Sequence, residues 1–352
     1  MQSDTSIDKH TENNKKAIWF VLIFLFVAVV GLLYAKWWPY YHKMITASNT
    51  HSIGDSILGD QLGGKPSWHT AWEYAVTYFQ AVWKAALLGI LLGSLIQVLL
   101  PTKWLLKVLG KTSFGSTAVG GLASVPGMMC TCCAAPMAVG LRKKNVSVGA
   151  ALAFWIGNPA INPATLVFMT FVLSWKFTLI RLIFGLILTF GVSYLANRFA
   201  GDTKPIDMER IIQDEEETGG FFARWMKSLG TMILYIVPAY ILSVLILGVA
   251  RVWLFPQLSG TMANGILAII LFAIGGMLFV IPTAAEIPII QTFLSIGIGT
   301  GPAAALLLTL PAISLPSLIM VSKSFPKKVL LFVTVSVVVI GIFSGLTGML
   351  IL

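Results

Sequence analysis

One stretch of the chain recurs, and this recurrence decides the fold. Residues 131–166 read TCCAAPMAVGLRKKNVSVGAALAFWIGNPAINPATL, and residues 283–318 read TAAEIPIIQTFLSIGIGTGPAAALLLTLPAISLPSL. The two stretches align without a gap at a shift of 152 positions and share nine identities in 36 positions. The shared residues include one proline near the start of each copy and a Pro-Ala-Ile near its end. We therefore interpret the chain as two related halves.

The composition is that of a membrane protein. Hydrophobic residues make up 57% of the 352 positions and charged residues 11%, whereas a soluble domain is about 25% charged. Several apolar runs approach or exceed the roughly 20 residues that cross a bilayer. The first run, residues 17–35, is too long for the core of a signal peptide and is followed by no small-x-small cleavage pattern, so we expect a retained helix. The sequence predicts an all-α, multi-pass membrane protein.

Basic residues set the expected orientation. The net charge is +10, and in a membrane protein such an excess marks the cytoplasmic side rather than a nucleic-acid partner. The best arrangement, in a bacterial inner membrane, has a cytoplasmic N-terminus and an extracytoplasmic C-terminus. It makes residues 113–141 a re-entrant hairpin, because a full crossing would leave Arg142, Lys143 and Lys144 outside. The copy at 262–293 is then a second re-entrant hairpin that enters from the opposite side, so the repeat is inverted.

This interpretation divides the chain into four parts. They are an N-terminal transmembrane helix plus an extracytoplasmic loop at 1–70, a first repeat at 71–200, an acidic cytoplasmic linker at 201–222 and a second, inverted repeat at 223–352. Tryptophan and tyrosine residues flank the predicted loop at 36–70, which is typical of a membrane surface. The linker is predicted to be solvated because it carries an acidic run at 214–217.

Prolines mark the points where the helices are expected to break. A proline has no backbone N–H to donate, so it frees a carbonyl about four residues upstream. Broken backbone at membrane depth must be buried in protein or line a wet cavity, and in inverted-repeat transporters the breaks meet at the binding site. We therefore expect both hairpin tips and both broken helices to meet at one depth. The candidate helix-breaking residues are Pro136, Pro159, Pro163, Pro288 and Pro311.

All three cysteines of the chain lie in the first hairpin tip, at Cys130, Cys132 and Cys133. Such a cluster is not a secreted disulfide framework, and we expect reduced thiols. Sulfur ligands select soft species such as Cu(I), Zn(II) or trivalent metalloids, so these thiols are candidate ligands for a metal or for a metalloid cargo. The alternative is that each cysteine is a small buried hydrophobe. Polar residues beside the breaks complete the predicted substrate site: Thr131, Asn158, Asn162 and Ser314.

Glu286 lies in the second hairpin tip, inside an apolar segment. A carboxylate at that depth is costly and is a functional candidate by default, so we interpret Glu286 as the residue that couples transport to protons. The alternative is a helix cap that accepts backbone N–H groups at the start of the next helix. Lys84 and Arg181 also interrupt apolar segments, but both are close to a predicted membrane surface, which their long side chains are expected to reach.

These motifs resemble the bacterial predicted-permease family that includes the trivalent organoarsenical efflux permeases. The resemblance rests on the CTCCAAP stretch, the basic pair that follows it, the GAALAF run and the PAINP break. It covers roughly residues 72–352 and departs at Cys133, where the family pattern is expected to have a small residue. The resemblance implies a membrane permease and leaves the cargo open.

The sequence therefore predicts a secondary transporter that exports a small, thiophilic substrate and is coupled to protons. No Walker A motif occurs in the chain, so we expect no ATP hydrolysis by the chain itself, no other enzyme activity and no cofactor. A passive channel is the first alternative, because paired hairpins also form selective pores. A membrane thiol oxidoreductase is the second, although no cysteine outside the cluster can pass electrons on.

The expected partners are the lipid bilayer and a small-molecule or ionic substrate, with no nucleic acid among them. Small residues such as Gly89 and Gly93 can pack helices within one chain or between chains, so a homo-oligomer stays open.

Overall fold

The computed structural model describes residues 4–58, 67–201, 220–254 and 264–352, and over these residues the chain is helical with no β-strand. The first half contains α1 (Asp4–Leu32), α2 (Trp38–Thr50), α3 (Trp68–Leu99), α4 (Thr102–Leu109), α5 (Phe114–Ser124), α6 (Thr131–Lys143), α7 (Val148–Ala160), α8 (Pro163–Val172), α9 (Trp175–Leu186) and α10 (Ser193–Ala196). The second half contains α11 (Phe221–Leu254), α12 (Ile266–Leu278), α13 (Glu286–Ser295), α14 (Thr300–Ala312), α15 (Leu315–Val321) and α16 (Lys327–Ile351). Most of the predicted acidic linker, including residues 214–217, lies outside the described residues.

Six helical segments in the described part of the chain are long and apolar enough to cross a bilayer. They are Ile18–Thr50, Trp68–Leu99, Trp175–Phe199, Phe221–Arg251, Thr300–Val321 and Lys327–Ile351. This confirms the prediction of an all-α, multi-pass membrane protein. Two shorter apolar helices, α7 and α8, follow each other closely and are separated by Ile161 and Asn162.

The N-terminal helix is longer than the sequence analysis predicted. α1 continues through a π-helical turn, Leu33–Trp37, into α2, so the predicted loop is helical as far as Thr50. The π turn ends two residues before Pro39, which is the second residue of α2 and has no N–H to continue the α-helical hydrogen bonding. α2 packs against α8 and buries Ala47. As a consequence Lys36, which the prediction placed at the membrane surface, is only 6% exposed.

Helix boundaries recur at the shift found in the sequence. α5 and α12 begin at residues 114 and 266, α7 and α14 at 148 and 300, α8 and α15 at 163 and 315, and α9 and α16 at 175 and 327. The chain is non-helical between α5 and α6 at 128–130 and between α12 and α13 at 279–285. Each half therefore contains an interrupted helix pair, followed by a helix that is broken near its middle.

Most of the predicted helix-breaking prolines lie at these interruptions. Pro159 and Pro311 each lie one residue before the end of a helix, α7 and α14, and Pro163 is the first residue of α8. Pro288 lies in the first turn of α13, where a missing N–H costs no hydrogen bond.

Pro136 is not at a break, and the prediction for it was wrong. It lies inside α6, whereas the interruption is upstream, at residues 128–130. Pro126 and Gly127 end the preceding helix in a 3-10 turn, and Met128 then takes a left-handed conformation with φ 49°. The turn residues before the cysteines, rather than the proline after them, therefore set the position of the first tip.

The helices around the breaks form the centre of the molecule. In α7 and α14 nearly every side chain is buried, including the polar Asn158 and Thr309. α6 packs between α3 and α7, and α14 packs against α12 and α16. The outer helices expose large apolar side chains, such as Trp19 and Phe26 of α1. This distribution places the broken helices away from lipid and the unbroken ones against it.

Glycines bring α3 and α6 into backbone contact. A Cβ atom on Gly93 would lie 2.5 Å from the carbonyl oxygen of Pro136, and one on Gly140 would lie 2.5 Å from the carbonyl oxygen of Gly93. Gly89 meets the carbonyl of Cys133 in the same way. These small residues thus pack helices within the chain, and they hold the cysteine-bearing helix directly against α3.

Replacing Gly93 with alanine is expected to lower the free energy of unfolding by about 1–3 kcal/mol, because the backbone of α6 must move to admit the methyl group. The matched control is Gly230→Ala in α11, where an added Cβ has no neighbour within 4 Å. Alanine favours the helix there, so the control should be neutral or slightly stabilising. Thermal unfolding of the purified protein in detergent measures both variants, and equal midpoints would contradict the close packing of α3 and α6.

Candidate functional site

The first tip presents two of its three thiols as a pair. Cys130 is the last residue before α6, and Cys133 lies in the first turn of that helix. Their sulfur atoms are 2.9 Å apart and both side chains are buried. Adjacent reduced thiols at this spacing can bind one thiophilic atom together. Thr131 is also buried here, and its carbonyl accepts a hydrogen bond of 3.0 Å from the indole of Trp155.

Cys132 points to a different set of partners. Its sulfur lies 3.4 Å from Oγ of Ser314, at the break after α14. The hydroxyls of Tyr78 and Tyr240, which are 2.6 Å from each other, also interact with Cys132. Among the described residues, no group of three or more His, Cys, Asp or Glu side chains is placed to hold a metal ion. The structure therefore divides the predicted three-thiol cluster into a pair and a single cysteine, and it does not support a three-cysteine metal site.

The second tip places a carboxylate at the start of α13. Ala284, just before it, takes a left-handed conformation with φ 71° that costs roughly 1–2 kcal/mol for an L-residue. Glu286 is the first residue of the helix and is 1% exposed. Its Oε1 atom lies 2.7 Å from Nη1 of Arg181, which is also 1% exposed. The tip therefore ends in a buried ion pair between the two halves of the chain.

The prediction that Arg181 reaches the membrane surface was wrong. Its guanidinium donates to the carbonyl oxygens of Pro159 and Ala160, at 2.7 and 3.3 Å, and to that of Leu307 at 3.1 Å. Leu307 lies four residues before Pro311, so its carbonyl is the one that the proline leaves without a partner. Arg181 thus satisfies the freed carbonyls of both broken helices. Lys84, by contrast, is exposed and lies over the rings of Tyr34 and Trp83.

The polar residues at the breaks serve local structure first. Asn162 caps α8, because its Oδ1 accepts the N–H groups of Ala164 and Thr165 at 3.0 and 3.3 Å. Ser314 precedes α15, and its own N–H donates to Oγ of Ser317 at 3.0 Å. Asn158 donates to the carbonyl of Phe154 at 2.8 Å. The Oδ1 atom of Asn158 and the Nδ2 atom of Asn162 are buried without a hydrogen-bond partner among the described residues.

A small cavity lies where the two tips and the two broken helices meet. Its volume is about 10 Å³, which leaves room for about one water molecule. Two buried oxygens on its wall, Oγ1 of Thr165 and Oε2 of Glu286, have no hydrogen-bond partner among the described residues. The lining residues are Cys130, Thr131, Pro159, Thr165, Ile281, Pro282, Thr283, Ala284, Glu286, Leu310 and Pro311. The four predicted breaks therefore converge on one enclosed, partly polar space.

Lys36 lies next to the cavity wall, a position that sequence reasoning missed. It comes from the N-terminal helix, and its ammonium donates to the hydroxyl of Tyr40 at 2.9 Å and to Oγ1 of Thr283 at 3.0 Å. The neighbouring Trp37 donates to the carbonyl of Pro126 at 2.8 Å, beside the first tip. The signal in the sequence was a lysine at the end of an apolar run. The aromatic residues that follow it made a membrane surface the simpler interpretation.

Comparison with known proteins identifies the family of the chain. Residues 122–351 match the family ArsP_1, described as a predicted permease. UPF0718 protein YraQ of Escherichia coli strain K12 is 52% identical over 327 residues, which cover 93% of this chain and 94% of that protein. UPF0718 protein MJ0584 of Methanocaldococcus jannaschii is 20% identical over 303 residues, which cover 66% of this chain and 82% of that protein. No solved structure matches the chain.

Arg181→Met is expected to lower the free energy of unfolding by about 3–5 kcal/mol, because it leaves a buried carboxylate unpaired and three carbonyls without their donor. Glu286→Gln should cost less, since the amide oxygen can still accept from Arg181. The double variant Arg181→Met with Glu286→Met should lose less than the sum of the two methionine substitutions.

Denaturant unfolding in detergent measures these differences. The control is Lys84→Met, which removes an exposed cation and should stay within about 0.5 kcal/mol of the parent. Equal losses for Arg181→Met and Lys84→Met would mean that the ion pair does not hold the centre together.

Proposed function

The chain belongs to the predicted-permease family ArsP_1, and we propose that it is a secondary transporter that exports a small thiophilic solute across the bacterial inner membrane. The observation that carries this proposal is the enclosed cavity, whose wall is built from the thiol-bearing tip of one half and the carboxylate-bearing tip of the other. Export is the direction that the resemblance to efflux permeases favours.

An inverted repeat supports this mechanism. The recurrence of helix starts at one shift, from α5 and α12 through to α9 and α16, is expected of two copies of one unit. The distribution of basic residues favours opposite orientations for the copies, with both interrupted helix pairs entering the membrane and turning back. Alternating access in such folds is a rocking of one repeat against the other around a fixed central site.

In the proposed mechanism, the Arg181–Glu286 ion pair is the contact that has to break when the two halves separate. Arg181 lies on α9 of the first half and Glu286 on the tip of the second, so separation of the halves breaks a buried 2.7 Å ion pair. A proton that binds Glu286 removes its negative charge and weakens this contact. The proton gradient can therefore drive the step that opens the cavity.

The thiol pair gives the proposal its substrate class. Cys130 and Cys133 approach to 2.9 Å, and the thiol of Cys130 forms part of the cavity wall. Sulfur ligands prefer soft species, and two of them at this distance suit a trivalent metalloid or a similar thiophilic atom. Neither Cys132 nor Cys133 lines the cavity itself, but Cys133 contacts the Cys130 thiol that does, whereas Cys132 contacts Ser314 and has a packing role at the interface of the two halves.

Glu286→Gln is expected to abolish the response of transport to a pH gradient while cargo binding is retained, because the amide keeps its size but cannot take up a proton. Proteoliposomes that carry the purified protein and a trivalent arsenical test this with and without a gradient. Glu73→Gln is the matched control, since Glu73 is exposed in α3, where its carboxylate lies 3.6 Å from the exposed His69. A gradient response that survives in Glu286→Gln would exclude Glu286 as the coupling residue.

Cys130→Ser and Cys133→Ser are each expected to weaken the binding of a trivalent arsenical at least tenfold, because each removes one of two sulfur ligands. Cys132→Ser is the control within the same segment and should bind within about twofold of the parent, since its thiol lies against Ser314 instead. Titration of intrinsic tryptophan fluorescence measures all three. Equal losses in the three variants would contradict the division into a pair and a single cysteine.

A further inference from the structure

We infer that Lys36 is an anion-binding residue of the transport site and that the cargo carries a negative charge close to its thiophilic atom. The inference rests on the proposed function, because it concerns the same site. It adds the charge of the substrate, which neither the family nor the thiols specify.

The buried Lys and Arg side chains outnumber the buried carboxylates among the described residues. Of the Lys, Arg, Asp, Glu and His side chains described by the structure, three are buried: Lys36, Arg181 and Glu286. Arg181 and Glu286 neutralise each other across 2.7 Å. Lys36 has two hydroxyl partners, on Tyr40 and Thr283, and no carboxylate within the described residues. Lys36 is therefore a buried cation with no carboxylate partner among the described residues, and its other electrostatic neighbours are the Cys130 and Cys133 thiols.

A buried ammonium group with no carboxylate partner needs an explanation. Burial of an isolated charge is costly unless a counter-charge or several hydrogen bonds compensate for it. An ammonium has three N–H donors, and two of those of Lys36 have acceptors. With 6% exposure, Lys36 is shielded from lipid headgroups and from bulk water. A bound anion would supply a counter-charge and an acceptor for the third N–H group of Lys36.

The position of Lys36 connects this charge to the cargo site. Its Nζ atom donates to Oγ1 of Thr283 at 3.0 Å, and Thr283 lines the same cavity as Cys130. Lys36 also interacts electrostatically with the Cys130 and Cys133 thiols. The N-terminal end of α6, which begins at Thr131, adds the positive end of a helix dipole on the same side. Lys36 is therefore one hydrogen bond from the cavity wall, through Thr283, and the Cys130 thiol and the start of α6 form part of the same wall.

This arrangement selects for two properties at once. The thiol pair binds a soft atom such as trivalent arsenic, and each As–S bond forms as one As–OH and one S–H lose a molecule of water. Lys36 binds a negative group carried by the same molecule. A neutral thiophile uses only the thiols, whereas a hard anion uses only the ammonium. A cargo with both groups should bind more tightly than either.

Two trivalent arsenicals that differ by one carboxylate isolate the contribution of Lys36. Methylarsonous acid is neutral near pH 7, and carboxymethylarsonous acid adds a single negative charge. Equilibrium binding of both is measured by calorimetry on the full chain in detergent, for the parent, Lys36→Met, Lys36→Arg and Lys84→Met. The last variant removes an exposed lysine that lies over the ring of Tyr34.

We expect the carboxylate to improve binding to the parent about tenfold. Lys36→Met should lose this gain and bind the two arsenicals equally well, and a thermal unfolding midpoint close to that of the parent shows that it is folded. Lys36→Arg should keep part of the gain, and Lys84→Met all of it. A gain that persists in Lys36→Met, or equal binding of both arsenicals by the parent, would overturn the inference and leave the thiophilic cargo standing. Failure of the parent to bind either arsenical would overturn both proposals.

Discussion

The structure depends on one guanidinium that satisfies the backbone of two broken helices. Carbonyl groups without partners are not tolerated at membrane depth unless protein supplies the donors. Arg181 donates to carbonyls at the end of α7 and to the one that Pro311 frees in α14, and its charge is balanced by Glu286. The breaks can exist side by side because this side chain joins them. The same contact fixes the second tip against the first half, so the cavity, the carboxylate and the thiols keep their relative positions.

Local signals in the sequence predicted the helices and breaks well, because helix ends depend on nearby residues. Asn162 at the start of α8 and Pro311 at the end of α14 act within a turn of their own position. The charged residues were harder to place. Arg181 lies in an apolar segment and Lys36 at the end of one, both close to aromatic residues, and two of their partners, Glu286 and Thr283, are more than 100 positions away. No local pattern contains that information, although a buried carboxylate at Glu286 was reason to look for a cation.

The cysteines show why nearness in sequence is a poor guide to a binding site on a helix. Cys132 and Cys133 are neighbours in the chain, yet successive residues of a helix point about 100° apart. Cys133 thus meets Cys130, while Cys132 turns toward Ser314 and the tyrosine hydroxyls. The cysteine that departs from the expected family pattern, Cys133, is the one that completes the thiol pair. A chain with a small residue there would retain the tip without its second sulfur.

Lys36 lies outside the part of the chain that matches the family, which begins at residue 122. The central cavity, in contrast, is lined entirely by residues within that part. The cavity lining and the cation beside it therefore come from different parts of the chain, one inside the family match and one outside it. On the proposed function, two proteins that are alike over residues 122–351 can still present different charges to their cargo. Substitutions in the N-terminal helix would then change selectivity without altering any residue that lines the cavity.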